Sequence, residues 1–279
     1  MESELTRRTL NKMRRIISVA HNTFIEAIRD RVLYSLILFA LVMILSSLVF
    51  ASISAEQYNK IVKDLGLTSI SIIGILISVF LGIGLVYKEV ERKTVYNIFS
   101  KPIKRYEFIL GKYLGLGLTL LVITVGMALI LFLLVLFIEI RYGGLISFYY
   151  GGHFYAEFFN ALYFEYLEFL VVIGVALVFS SFTTPVMSAL FTFFVIAIGR
   201  FSSDIRLFAE EVKNPASALF SEAVYRVIPN LEKFDVRSEA VYGGTVNPDL
   251  IIYTTVYALI YTLALLILAI VIFERKEFK

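Results

Sequence analysis

Apolar residues in this chain come in long stretches rather than in the short beat of a soluble amphipathic helix. A helix needs about 20 mainly apolar residues to cross a hydrocarbon core ~30 Å thick. Residues 32–53, 67–87, 114–138 and 250–273 each meet that length. A further apolar block over 162–199 is broken at 180–186 by "SSFTTPV", whose small polar residues and proline predict a tight turn. It divides into two short spans, 162–181 and 184–199. The pattern predicts an all-α integral membrane protein with six transmembrane helices, the fourth and fifth forming a hairpin.

The polar stretches between these runs have structure of their own. After span two the chain reads "YKEVERKTVYNIFSKPIKRYEFILGKYLG". Residues 88–99 have helical spacing, with Glu89 and Lys93 paired at i,i+4. Pro102 cannot continue that helix and biases Lys101 toward extended geometry. A second helix is predicted from about Lys104, passing Glu107 and Gly111 into span three. The long stretch 200–249 predicts two amphipathic outer helices, one with Phe201, Ile205, Phe208 and Val212 on a face, the other with Leu219, Ala223 and Val227, the alternative being an ordinary solvated loop. Asn214–Pro215 separates them.

Composition agrees with the pattern. The 279 residues are 59% hydrophobic and 18% charged, against about 45–50% and about 25% in soluble domains. The first apolar run is too long for a signal-peptide core and closes on no A-x-A-like site, so residues 1–31 are expected to be retained.

Charge matters through its distribution. Arg7, Arg8, Lys12, Arg14, Arg15, Arg29 and Arg31 precede span one, and Lys88, Arg92, Lys93, Lys101, Lys104, Arg105 and Lys112 follow span two. Arg275, Lys276 and Lys279 close the chain. The two short loops on the opposite side hold only Lys60, Lys63 and Arg141. The positive-inside rule therefore predicts both termini in the cytoplasm and residence in the cytoplasmic (inner) membrane.

Several chemistries find no residues to carry them. With no cysteine, thiolate metal sites, disulfides and cysteine nucleophiles are excluded. The two histidines, His21 and His153, lie outside the expected spans and have no spaced ligand partner. "LGKYLG" is not a P-loop, because Tyr113 stands where Ser or Thr is required and Tyr106 where the first glycine belongs. No catalytic, metal or cofactor-binding residue is therefore assigned. No span carries an ionisable residue near its expected middle, and Glu139, Glu165 and Glu168 fall at expected outer ends. That pattern argues against an ion-coupled carrier and suits apolar or amphipathic cargo.

Two features have two readings each. Tyr253, Tyr257 and Tyr261 share one face of the last span and either pack against a neighbour or line a translocation path. The aromatic stretch 141–166 either anchors the chain at the headgroups or forms a vestibule. Gly111, Gly115, Gly117 and Gly126 suit close helix approach.

An ordinary positive-inside loop accounts for the cations of 88–112 but not for exposed Val95, Ile98 and Phe99 beside a proline-fixed turn. An apolar patch rimmed by charge suits partner docking. This stretch resembles the cytoplasmic loop of ABC-2-type transporter permeases. It matches at Glu89, Glu91, Arg92, Thr94, Ile98, Phe99, Ser100, Lys101, Pro102, Ile103, Arg105, Glu107, Phe108, Gly111 and Lys112. Lys104 departs from the family's Ser or Thr, which could cap the helix reciprocally with the Glu three residues on.

The resemblance, which is similar to the permease group of nitrous-oxide reductase maturation systems, implies the membrane subunit of an ATP-driven exporter in one transmembrane domain. Partners would be two ABC ATPase subunits carrying ATP and magnesium, a second permease copy as a homodimer, and membrane lipids, with no nucleic acid. The coupling helix between spans two and three would dock the ATPase through Glu89, Glu91, Arg92, Thr94, Val95, Ile98, Phe99, Ser100, Lys101, Pro102 and Arg105. Residues 9–29 would form an amphipathic elbow helix with Ile16, Ala20, Phe24 and Ile28 as its buried face. A carrier acting alone and an assembly factor for an extracytoplasmic enzyme are the alternatives.

Overall fold

Each long helix begins or ends where the sequence supplies a reason. The computed structural model describes residues 2–53, 58–91, 104–143, 152–205, 207, 222, 225 and 227–275, without the side chains of 2–11, 85–91, 142–143 and 152–154. Helix α1 (Glu2–Ile28) hands over to α2 (Arg31–Ser52) at Asp30, whose Oδ1 accepts the Val32 N–H at 3.0 Å. That acceptor satisfies one of the free donors of a new helix. Helices α3 (Tyr58–Glu91) and α4 (Arg105–Ile138) have 34 residues each, about 50 Å at the α-helical rise. A π-helical turn, Glu139–Gly143, ends α4.

Helix α5 (Gly152–Ser180) returns to the predicted turn. There the Thr183 N–H donates to Phe179 O at 3.0 Å, and the Thr183 and Ser188 hydroxyls lie 2.6 Å apart. Pro185 opens α6 (Pro185–Arg200), a position where the missing N–H costs no hydrogen bond. After a long connection come α7 (Arg237–Tyr242), ended by Gly243 at φ +81, and α8 (Pro248–Arg275). That φ is the left-handed conformation glycine adopts without strain.

Among the described residues the chain is helical with no strand. Five helices, α2, α3, α4, α5 and α8, are long and apolar enough to cross a membrane. The remaining expected span is α6, apolar but only 16 residues long, about 24 Å. Helices α3 and α5 form the centre, with 72% of their most apolar windows buried, against 22% in α2 and 28% in α8. Leu67, Ile70, Ile73 and Ile77 of α3 recur at helical spacing in this core, with Phe164, Phe169 and Ile173 of α5.

The segment after α6 makes up for that helix's shortness. The Leu231 N–H donates to Gly199 O at 3.0 Å, and a Cβ at Gly199 would lie 2.5 Å from Pro229 O. Leu231, Phe234, Val236, Ala240, Val241 and Val246 are all buried, and α7 packs on α5 and α3. The predicted amphipathic faces of 200–249 lie largely outside the described residues; of their described members Phe201 and Val227 are exposed and Ile205 is half-buried. The well-packed part of the segment, from Leu231 onward, was not among the expected helices.

Two further expectations are sharpened. The face of α1 that meets α4 is Ile16, Val19, Ala20 and Thr23, with Ala27 also buried, while Phe24 and Ile28 of the expected face are half-buried, like Ile16 and Ala20. The stripe turns because α4 offers two glycines for α1 to approach. Helix α5 also begins ten residues before the expected span, so part of the predicted aromatic connection is helix, with Phe158 and Phe164 buried.

Candidate functional site

The basal end of the bundle, where α4 begins and α8 finishes, is built from the second half of the charged motif. Glu107 stands in the first turn of α4 and is wholly buried. Its Oε2 accepts the Lys104 N–H at 3.0 Å and lies 3.8 Å from Arg15 of α1, while the Tyr106 hydroxyl donates to Oε1 at 3.4 Å. The Glu half of the capping box is thus present although Lys104 supplies no hydroxyl. A carboxylate here also faces the positive end of the helix dipole.

Arg105 points the other way. Its Nη1 donates to Phe273 O at 3.0 Å and to Glu274 O at 2.6 Å, capping the last carbonyls of α8. A cation at a helix C-terminus is favoured by the same dipole. Phe108 stacks on Phe273 with centroids 5.8 Å apart. Lys112, almost fully buried, donates to Glu26 of α1 at 3.4 Å and lies 5.7 Å from the Phe108 ring centre.

The approach of α1 depends on having no side chain at two positions. A Cβ at Gly111 would meet Val19 Cβ at 2.6 Å, and one at Gly115 would meet Ala20 O at 2.5 Å. Around Gly117, Leu170 comes within 3.1 Å of such a Cβ, whereas Gly126 faces open space. The first three turns of α4 therefore hold α1 on one side and the end of α8 on the other. A displacement entering α4 at Lys104 reaches three helices at once.

Of the predicted docking residues, Glu89 and Glu91 fall on the last turns of α3, where only the backbone is described. Arg92, Thr94, Val95, Ile98, Phe99, Ser100, Lys101 and Pro102 lie outside the described residues. Arg105 is engaged with α8, as above. Tyr257 accepts the Asn230 N–H at 2.8 Å, and the Tyr261 hydroxyl donates to Val227 O. Both tyrosines hold the segment that follows α6, while Tyr253 is exposed. A separate cavity of 420 Å³ opens between α4 and α5, walled by Leu121, Val125, Leu129, Phe158, Phe159 and Tyr163.

The distal end carries a second cluster that sequence reasoning missed. Arg200, the last residue of α6, donates to Glu168 at 2.8 Å and to Ser71 of α3 at 3.0 Å, and lies 3.6 Å from Asp235. Arg237 donates to Asp235 and, at 3.0 Å, to Thr68. Burial opposes ionisation of Asp235, but hydrogen bonds and charge from Arg237, with Arg200, hold its carboxyl below the ordinary value. Arg237 is raised by its bond to Asp235 against the cost of desolvation. Lys63, Tyr155 and Glu139 form a neighbouring group at 2.9 and 2.7 Å.

Glu165 and Glu168 correct the expectation of a charge-free interior. Both are buried on α5, and Glu168 lies near the middle of the apolar stretch Tyr155–Ser180. They looked terminal only because the helix starts earlier than the apolar run. The signal in the sequence is the stripe Glu157, Ala161, Glu165 and Glu168 at helical spacing on one face.

The description "ABC-2 family transporter protein" belongs to the family model that matches residues 17–278. No curated protein matches the chain. The match covers α2 through α8, including both the basal motif and the distal cluster. With its apolar helices of crossing length, this makes the chain a multi-pass membrane protein, the membrane subunit of an ABC transporter and the partner of an ABC ATPase: it belongs to the ABC-2 family of transporter proteins.

Proposed function

We propose that the chain is the permease of an ATP-driven exporter, working as a homodimer with two ATPase subunits in the inner membrane. In this reading α6 counts as a sixth, short span, both termini are cytoplasmic and α1 is the elbow helix. The chain has no ATPase site of its own, and the partner carries ATP and magnesium. Residues 88–99 are the coupling helix seated in the ATPase.

The observation supporting this most is the basal clamp. Residues 92–103 feed directly into a turn of α4 bound to α1 through Glu107 and Lys112, and to α8 through Arg105 and Phe108. A push from a docked ATPase is thereby shared by three helices rather than absorbed by one loose end.

Two substitutions separate docking from transmission in the reconstituted complex. Phe99→Ala is expected to lose the ATPase on purification, together with substrate-stimulated hydrolysis. Arg105→Ala is expected to keep the ATPase bound but lose at least about tenfold in transport per ATP, because α8 is released from α4. Full coupling in both variants refutes the proposal, as does solute movement by the chain alone down an ion gradient.

A further inference from the structure

The charges of the distal cluster do not balance. Among the described residues three carboxylates, Glu165, Glu168 and Asp235, share the site with two guanidiniums, Arg200 and Arg237. Arg200 is matched with Glu168, and Arg237 with Asp235. Glu165 is the surplus acid. It is 2% exposed, and neither of its oxygens accepts a hydrogen bond. Glu168 Oε1 and the buried Ser202 hydroxyl are also without a hydrogen-bond partner.

An ionised carboxylate removed from water without a partner is strongly disfavoured, so a group in this position is neutralised or compensated. Neither arginine serves as it stands, because Arg200 already holds Glu168 and Arg237 already holds Asp235. The charged groups acting on Glu165 are Glu168 on its own helix, Arg200 from α6, and Asp235 and Arg237 from the following segment. Helix α3 contributes the Thr68 and Ser71 hydroxyls, both accepting from the arginines.

We propose that Glu165 is the seat of one exchangeable monovalent cation, a proton or a sodium ion, which brings the cluster to neutrality. When the cation leaves, the bare carboxylate competes with Asp235 for Arg237. Occupancy is therefore linked to the seating of the 231–246 segment on α3 and α5. The inference does not depend on the docking of residues 88–99.

The test uses the assembled transporter in lipid nanodiscs. Its thermal midpoint is followed from mildly acid to mildly alkaline pH, in sodium chloride and in choline chloride of equal ionic strength. A proton at Glu165 makes the midpoint fall as pH rises in both salts, by at most about tenfold in the folding equilibrium per pH unit. A sodium ion makes that alkaline loss occur in choline and disappear in sodium. In either case Glu165→Gln, neutral and of the same shape, removes the dependence that Glu168→Gln retains.

Identical pH and salt responses in wild type and Glu165→Gln overturn the proposal. Should the variant fail to assemble, infrared difference spectra of the wild type decide. A carboxyl band responding to pH or sodium supports the site, and no responding band overturns it.

Discussion

At the basal end, each buried charge meets a counterpart on another helix. Glu107 faces Arg15, Lys112 faces Glu26, and Arg105 faces the carbonyls of α8. The distal end assembles a similar set of side chains but, among the described residues, leaves one acid over. The basal charges are also near water, since Arg15 and Glu26 are each 36% exposed, whereas Glu168 is 1% exposed. An arrangement that is closed and wet at its rim suits a mechanical joint. An arrangement that is buried and unbalanced has a vacancy in its charge, and responds to what fills it.

The sharpest way to break this contrast is to remove one partner at each end. Glu168→Ala removes the most buried partner of Arg200, leaving it Asp235 at 3.6 Å and the Ser71 hydroxyl, and is expected to cost about 3 kcal/mol, the lower end for a broken buried pair. Lys112→Met leaves Glu26 free to rehydrate and should cost about 1 kcal/mol or less. Denaturant unfolding in mixed micelles measures both, and equal losses would erase the distinction between the two ends.

Next in size is the α1 approach. Gly115→Ala pushes a methyl group against Ala20 O and is expected to destabilise by about 1–3 kcal/mol. Gly126→Ala, facing open space on the same helix, should be neutral or stabilising by up to about 1 kcal/mol, because alanine restricts the unfolded chain. Opposite signs in thermal unfolding confirm the joint. A loss at Gly126 as large as at Gly115 would reduce it to a general intolerance of α4.

Tyr257→Phe removes the acceptor of the Asn230 N–H and should cost about 1 kcal/mol. Faster amide exchange confined to the segment around Asn230 would accompany it. The smallest effect concerns acid. Asp235 is held below its ordinary value, so its contribution is complete above the unfolded pKa of about 3.9 and is lost as pH falls through the lower folded value. Asp235→Asn lacks that contribution throughout, so its stability relative to wild type should converge below about pH 4. Acid titration of the two proteins side by side checks it.

The basal joint was legible because its α4 residues are neighbours in sequence: Arg105, Glu107, Phe108, Gly111 and Lys112 fall within two turns. What the motif could not show is that these residues face α1 and α8. The distal cluster draws on Thr68, Ser71, Glu165, Glu168, Arg200, Asp235 and Arg237, joined only by the crossing of α3, α5 and α6 and the return of the segment that leads into α7. Hydropathy also hid it, because an apolar run marks the lipid-compatible stretch and not the full helix. The long spans and the 180–186 turn, set by local composition and proline geometry, were read closely. The packed face of α1 was read only in part, at Ile16 and Ala20, because a half-apolar helix has several adjacent stripes and the partner selects among them.

The brevity of α6 bears on how the protein is made. A helix of 16 residues falls short of the length a lone segment needs to settle stably in a bilayer, and Arg200 at its end is a further burden on entry. Its tight turn to α5 places Glu168 within 2.8 Å of that arginine. On the proposed six-span reading, the two helices are suited to enter the bilayer together as one hairpin, with the acid and the base crossing as a neutral pair. The order of biosynthesis, α5 before α6 before the segment that covers them, is then also the order in which each element finds the partner it needs.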